Sequence, residues 1–433
     1  MAPLIEALRG YEILDSRGNP TVAARVTLSS GVQAIGHAPS GASTGKHEAL
    51  ELRDKDPRRY GGKGVLGAVR NIEEAILPAL RGMPAEVGAV DARMIELDGT
   101  FVRKSGLGAN AMLAVSCAVA RAAAIVSGEP LWRSLEMAKG RAALPLPMVN
   151  ILSGGLHAGR HIEFQDFLVM GHGFGTYAET LHATVQVHRQ ARVVLEKRGY
   201  PVSGVADEGG WGPSLPSNEA ALQVVTEAIE DAGYRSGEDF SIALDVAASH
   251  FHTADGRYAL KSEERVLSAS EMISLLERWA GAYPIFSIED ALEEDDWEGW
   301  RELTARLGSK LQLVGDDLFT TNPRRVQRGA DLRAANAVLV KMNQIGTVTE
   351  TLEVLEMART LGYGAVVSAR SGETEDSFLA DLAVGSGAGQ IKIGSITRSE
   401  RLAKYNRLLE IEKDERLPYS NKLMVPRQFG APQ

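Results

Sequence analysis

Ala337-Val-Leu-Val-Lys-Met-Asn-Gln-Ile-Gly346 and Gly364-Ala-Val-Val-Ser-Ala-Arg-Ser-Gly372 are two short apolar runs, each ending in polar residues. Between them, Thr347 to Leu361 has helical periodicity. Apolar runs of this length read as buried parallel strands, and the interval is long enough for a crossover helix. The polar ends are Lys341 with Asn343 and Gln344 on the first run, and Ser368 to Ser371 on the second. They then fall at strand C-terminal ends, the face on which α/β barrels build their active sites.

Working outward, strand-like and helical segments alternate from about residue 150 to about residue 410. Strand candidates are Phe167–Met170, Ile242–Leu244, Ile285–Ile288, Leu311–Val314, Val338–Val340 and Ala365–Val367. The rhythm predicts a parallel α/β architecture, and the number of units favours a closed barrel over an open sheet. Three of these runs end in carboxylates: Ile-Ala-Leu-Asp245, Phe-Ser-Ile-Glu289 and Leu-Val-Gly-Asp316. In a barrel, successive strand ends surround one mouth. Three carboxylates there repel unless a hard cation sits between them, and oxygen donors of this kind suit Mg²⁺. A lysine beside such a metal, here Lys341, would have its pKa lowered, which suits a general base.

Other motifs carry less. Asp15-Ser-Arg-Gly-Asn-Pro20 is turn chemistry between strands, and Thr21 to Leu28 alternates apolar and polar residues. Pro39-Ser-Gly-Ala-Ser-Thr-Gly45 is a small-residue loop whose amides and hydroxyls suit phosphate or a cation. Gly62-Lys-Gly-Val-Leu-Gly67 matches a dinucleotide fingerprint, but no buried strand precedes it, so that reading is rejected. Residues 65–80 and 109–126 are predicted helices. Asp207-Glu-Gly-Gly210 offers a carboxylate pair, one of which suits an acid, before flexible backbone. His157-Ala-Gly-Arg-His161 has zinc-like spacing, but Gly154, Gly155 and Gly159 argue against a helix, leaving His157 as a solitary polar group in a site loop. Glu293-Glu-Asp-Asp296 reads as an exposed helix start.

The bulk numbers set limits. The net charge of −9 over 433 residues argues against nucleic acid or an anionic membrane as the main partner. The single Cys117 permits no intramolecular disulfide and fits a reducing compartment. Glu6, Arg9, Glu12 and Asp15 lie where a signal peptide needs an apolar core, which argues against export and for a cytoplasmic location. Ala109 to Val126 is alanine-rich and carries Asn110 and Arg121, so it reads as a packed soluble helix rather than a membrane span.

Along nearly its whole length the chain resembles the enolases. The resemblance rests on Asp-Ser-Arg-Gly-Asn-Pro-Thr (15–21), Ser-Gly-Ala-Ser-Thr-Gly (40–45), Gly-Ala-Asn-Ala (108–111), Asp-Glu-Gly-Gly (207–210), Ser-Ile-Glu-Asp (287–290), Asp-Asp-Leu with Thr-Asn-Pro (316–323), Lys-Met-Asn-Gln-Ile-Gly (341–346), Arg-Ser-Gly-Glu-Thr-Glu-Asp (370–376), Gln-Ile-Lys (390–392) and Arg-Ser-Glu-Arg-Leu-Ala-Lys (398–404). It implies an α+β capping domain over residues 1–135, a modified (β/α)8 barrel over 140–417 and a tail over 418–433. It implies two Mg²⁺ ions, the first on Asp245, Glu289 and Asp316, the second completed by the loop with Ser43 and by substrate oxygens. A Lys base working beside Mg²⁺ is the known pattern of the enolase superfamily, so the base role of Lys341 is implied by the resemblance. Glu208 would help the β-hydroxyl leave. Arg370 and Ser371 would hold the phosphoryl group of a small anionic carboxylate, and Lys392 would meet its carboxylate. A homodimer or an assembly of dimers is implied as well.

Three positions depart from the family pattern. Ala369 stands in place of a histidine in Ser-His-Arg-Ser-Gly-Glu. Gln165-Asp166-Phe167 stands for Gln-Glu-Phe, and Ser153-Gly-Gly for Asn-Gly-Gly. Losing an imidazole opens space and removes a donor, and shortening Glu to Asp withdraws a carboxylate by about 1.5 Å. Both changes fall beside the leaving hydroxyl, where a positioned acid–base group is worth about 10²–10⁴-fold. They favour a specialised enzyme acting on a related phosphonate or phosphinate, in the manner of carboxyphosphonoenolpyruvate synthase. The alternative is a glycolytic enolase converting 2-phosphoglycerate to phosphoenolpyruvate. A non-catalytic enolase-like protein is the third reading, opposed by the retention of Lys341 and of the candidate metal ligands.

Overall fold

Asp15 shapes the first hairpin: its Oδ1 accepts the backbone N–H of Arg17 and of Asn19, both at 2.8 Å. This side-chain-closed turn joins β1 (Ile5–Leu14) to β2 (Pro20–Leu28), and β3 (Gln33–His37) completes an antiparallel sheet. The computed structural model describes residues 3–42 and 45–426. The helix Ala109–Ser127 packs against β2 and β3. Its small residues allow a very close approach: a Cβ on Gly36 of β3 would lie 2.5 Å from the Ala118 amide nitrogen. By length and composition this helix could cross a membrane, yet 78% of it is buried inside the protein, and Cys117 is part of that buried face. Helical structure over 66–80 follows the expectation, with one wider π-type turn at Ile72–Ile76. Among the described residues no strand lies between His37 and Gly62, so Gly62–Gly67 lacks the strand a dinucleotide fingerprint requires.

The second region is a closed eight-stranded barrel. Its strands are β4 (Leu146–Ser153), β5 (Asp166–Gly171), β6 (Phe240–Asp245), β9 (Ile285–Glu289), β10 (Gln312–Gly315), β11 (Ala337–Val340), β12 (Gly364–Ser368) and β13 (Gly389–Gly394). A small hairpin, β7 (Tyr258–Leu260) and β8 (Arg265–Leu267), lies outside it. All six expected strands are present. The barrel is not wholly parallel, however: β5 runs antiparallel to both β4 and β6. The β4–β5 connection has no crossover helix, only a short 3-10 turn at Gly155–His157, so the chain reverses there. Leu146, Met148, Leu168, Met170, Ala243, Val314, Leu339 and Val366 fill the barrel interior and give the mouth a solid floor.

The N-terminal region is fastened to that mouth. Ser40 and Gly372 exchange backbone hydrogen bonds at 2.7 and 2.9 Å, and the Ser16 N–H donates to the Glu373 carbonyl at 2.7 Å. Arg121 clasps Asp376 at 2.6 and 2.7 Å. The segment after Pro418 is irregular where described, but Tyr419 is anchored by a hydrogen bond to Thr180 at 2.8 Å.

Candidate active site

The strand ends deliver the expected carboxylates together. Asp245 ends β6, Glu289 ends β9 and Asp316 directly follows β10, all three buried. Each is followed within a few residues by a non-glycine residue in the left-handed region: Ala247 (φ 48°), Asp290 (φ 45°) and Thr320 (φ 47°). Backbone held in that region costs energy and clusters where function demands a particular turn. At the second of these turns the Asp290 carboxylate accepts the amides of Asp316 and Asp317 at 2.9 and 2.8 Å. Asp290, Asp316 and Asp317 thus form a second tight acidic group, but Asp290 serves as a staple for the loop.

Two lysines balance these carboxylates. Lys392 Nζ lies 2.7 Å from Asp245 Oδ2 and 2.8 and 2.7 Å from the two Glu289 oxygens. Lys341 donates to Asp316, whose other oxygen accepts from Gln344 at 2.8 Å. Burial opposes the charge of Lys341, but Asp316 outweighs it and raises the ammonium above its ordinary value. The sequence expectation of a lowered Lys341 presupposed a neighbouring cation; paired with a carboxylate, the shift has the opposite sign. Lys392 is raised in the same way by Asp245 and Glu289 against its own burial. Burial, with Asp245 adding to it, pushes Glu289 well above the usual carboxylate range.

Arg370 enters from the end of β12 and pairs with Glu48 of the N-terminal region at 2.9 Å, also donating to Asn343 at 3.1 Å. The neighbouring Ser371 hydroxyl accepts the Ala42 amide at 2.9 Å. Arg401, fully buried, donates to the Arg370 and Ser371 carbonyls at 2.5 Å each and so fixes this corner. Ser43, expected in the same loop, lies outside the described residues.

Across the mouth stands a different group. His157 Nδ1 lies 2.9 Å from Asp166 Oδ2, and His157 Nε2 lies 3.7 Å from Glu208 Oε1. All three are buried. Burial works against a charge on His157, but Asp166 and Glu208 overcome it and lift the imidazole to about 9. Burial alone would raise Glu208; the charges of His157, Arg401 and Lys392 bring it below its ordinary value. Glu208 is set on a turn that needs glycine next to it: Gly209 has φ 92°, and a Cβ there would lie 2.5 Å from Thr397 Oγ1. His161 is exposed. Gln165 donates to Asp245 at 3.2 Å, and its Oε1 is buried with no partner.

These two groups face one narrow cavity, lined by His157, Gln165, Glu208, Asp245, Lys341, Ala369, Arg370 and Lys392 among others. Ala369 sits on its wall, held by its amide to the Lys392 carbonyl at 2.8 Å. Every described residue expected at the site except Asp166, Glu289 and Asp316 lines the cavity, and Asp166 lies behind His157. Glu289 and Asp316 lie immediately behind Lys392 and Lys341. Sequence reasoning missed Glu48, Asn150 and the role of Ser153. Glu48 gives no local signal, since its partner lies far along the chain. Asn150 was legible as a lone amide in an apolar run. The Glu293–Asp296 run is only partly an exposed helix start. Asp296 caps the helix Trp297–Leu307 through the Gly299 amide, but Glu294 is buried and accepts the Lys46 amide at 3.0 Å.

A barrel whose C-terminal mouth gathers strand-end carboxylates, two buried lysines and an arginine has the form of an α/β-barrel enzyme for small anionic substrates. The family model described as "Enolase, N-terminal domain" matches residues 5–135, and that described as "Enolase, C-terminal TIM barrel domain" matches residues 141–422. A protein named "Enolase 1" from Methylococcus capsulatus is 52% identical over 416 residues, covering 96% of this chain and 98% of that protein. The chain belongs to the enolase family.

Proposed function

We propose that the chain is a Mg²⁺-dependent enolase that removes water from 2-phosphoglycerate to give phosphoenolpyruvate. The observation that carries the reading is the set of three buried strand-end carboxylates matched by Lys341 and Lys392 in one mouth. The specialised phosphonate or phosphinate reading, favoured on Ala369 and Asp166, gains nothing from the comparisons. The relative named Enolase 1 supports the alternative, so the order of the two is reversed.

The donor set fits a hard divalent cation. It consists of buried carboxylate oxygens whose charge already attracts an ammonium, with an unpartnered Gln165 Oε1 nearby. Asp245, Glu289 and Asp316 would hold a first Mg²⁺, and the loop with Ser43, together with substrate oxygens, a second. Bound Mg²⁺ would supply positive charge for the extra negative charge that develops on the substrate carboxylate, and would compete for the Asp316 charge that keeps Lys341 protonated. Lys341 Nζ then takes the C2 proton. The C2–H electron pair becomes the C2–C3 π bond, and the C3–O pair leaves with the oxygen. Glu208, taking a proton from His157, passes it to that oxygen, releasing water. Arg370 and Ser371 orient the phosphoryl group, and Lys392 the carboxylate. The resemblance supports a dimer-based assembly and a cytoplasmic location.

The test is direct. Purified chain with Mg²⁺ and 2-phosphoglycerate is expected to form phosphoenolpyruvate, identified by ³¹P NMR, and to stop when a chelator is added. Mg²⁺ binding without any product from 2-phosphoglycerate would overturn the reading.

A further inference from the structure

Two of the three departures from the family pattern touch each other. Ser153 ends β4, Asp166 begins β5, and the antiparallel register sets them opposite one another, both fully buried. The Asn150 amide spends its hydrogens on this pair, donating to Ser153 Oγ at 2.8 Å and to Asp166 Oδ1 at 2.5 Å. Its own Oδ1 is left buried without a partner, and the reverse orientation would set that oxygen against a carboxylate. Ser153 Oγ therefore receives one hydrogen and has one proton to give, and gives it to Asp166 Oδ1 at 2.9 Å. The other Asp166 oxygen takes His157 Nδ1 at 2.9 Å. Asn150 and Ser153 both donate to Oδ1, and each nitrogen of His157 faces a carboxylate oxygen, an arrangement that suits a hydrogen on each nitrogen and so places one on Nδ1 toward Asp166. The ring is then fixed with Nε2 toward Glu208. Among the described residues lining the cavity, His157 is the only imidazole.

We infer that Ser153 is a positioning residue. Through Asp166 it holds the His157 ring so that Nε2–H faces Glu208 and can supply the proton that Glu208 passes to the departing hydroxyl. A shortened carboxylate needs a donor on the facing strand to hold it, and Ser153 supplies one beside Asn150. In the balance of the step, the C2 proton goes to Lys341 and the C3–O pair leaves with the oxygen. The His157 Nε2 proton passes to the Glu208 carboxylate, which hands it to that oxygen as water leaves. This inference rests on the proposed dehydration, and its test separates the two.

In Ser153→Ala, kcat is expected to fall about tenfold, the effect of one lost hydrogen bond to a charged group. KM should stay within about twofold, because the phosphoryl and carboxylate contacts are elsewhere. Exchange of the C2 hydrogen with deuterated solvent, which reports Lys341, should persist. Ser153→Thr, which keeps the hydroxyl, should restore kcat. Independently of turnover, the low-field ¹H NMR signal of the His157 Nδ1 proton, assigned by its loss in His157→Gln, should move or broaden in Ser153→Ala. An unmoved signal would overturn the inference, as would unchanged kcat or loss of C2 exchange in parallel with product formation. If the wild type makes no phosphoenolpyruvate, the proposed reaction fails, and the His157 signal still decides the role of Ser153.

Discussion

Two sides of one barrel mouth border the same cavity and are ordered by different forces. On the side of β6 and β9 to β13, charge pairs dominate: Lys341 with Asp316, Lys392 with Asp245 and Glu289, and Arg370 with Glu48. On the side of β4 and β5, a directed chain of hydrogen bonds runs from Asn150 and Ser153 through Asp166 to His157, which faces Glu208. The first side keeps the family's charged residues, with Ala369 after β12 as its one departure, and the second contains the other two, Ser153 and Asp166. A charge-balanced site needs a given set of charges and tolerates little change of residue type. A hydrogen-bonded chain can be rebuilt with shorter groups if every donor still finds an acceptor.

The largest effect should come from the first side. Lys341→Ala should lower kcat by about 10⁴-fold, the upper end for a positioned base, while Mg²⁺ affinity measured by calorimetry stays largely intact. Activity within tenfold of wild type would move the base elsewhere and erase the contrast between the sides. A much smaller change is expected from Ala369→His: under about tenfold in kcat, since the proposed path from His157 to Glu208 already supplies the proton. A gain of two orders of magnitude would mean that the second side is broken rather than rebuilt.

The subtlest test compares two buried histidines. His157 is lifted to about 9, whereas His188, which stacks on Trp211 with centroids 4.8 Å apart, is lowered by burial to about 4. A histidine raised in the folded state adds stability that is fully present below its unfolded value, near 6.5. That contribution is lost as pH rises through about 9. NMR titration should therefore find His157 charged and His188 neutral at pH 7, and the stability margin of wild type over His157→Gln should shrink between those limits. A His157 that titrates near 6 would show that Asp166 and Glu208 do not hold its charge.

Most of the barrel was legible because its strands are short apolar runs ending in chemically distinctive residues. Asp245, Glu289, Asp316 and Lys341 could each be placed at a strand end from the sequence alone. β4 was less visible because Pro147 lies inside it, and Gly389 to Gly394 because glycines bracket it. The antiparallel placement of β5 depends on the short Gly155–His157 connection, which has no periodicity to read. Ser153, Asp166 and Ala369 stood out only as departures from a family pattern. That Ser153 and Asp166 form one contact depends on strand register, which one sequence does not reveal. Glu48 depends on how the two regions dock, and its pairing with Arg370 spans most of the chain.

The central claim is that one side of the mouth takes the C2 proton and the other releases the hydroxyl. Glu208→Gln tests it most directly, in deuterated buffer with Mg²⁺ and 2-phosphoglycerate. The claim predicts that deuterium enters C2 at a rate near that of wild type while phosphoenolpyruvate formation falls by about 10²-fold or more. Loss of exchange in step with product formation would contradict it, because the two sides would then act as a single unit.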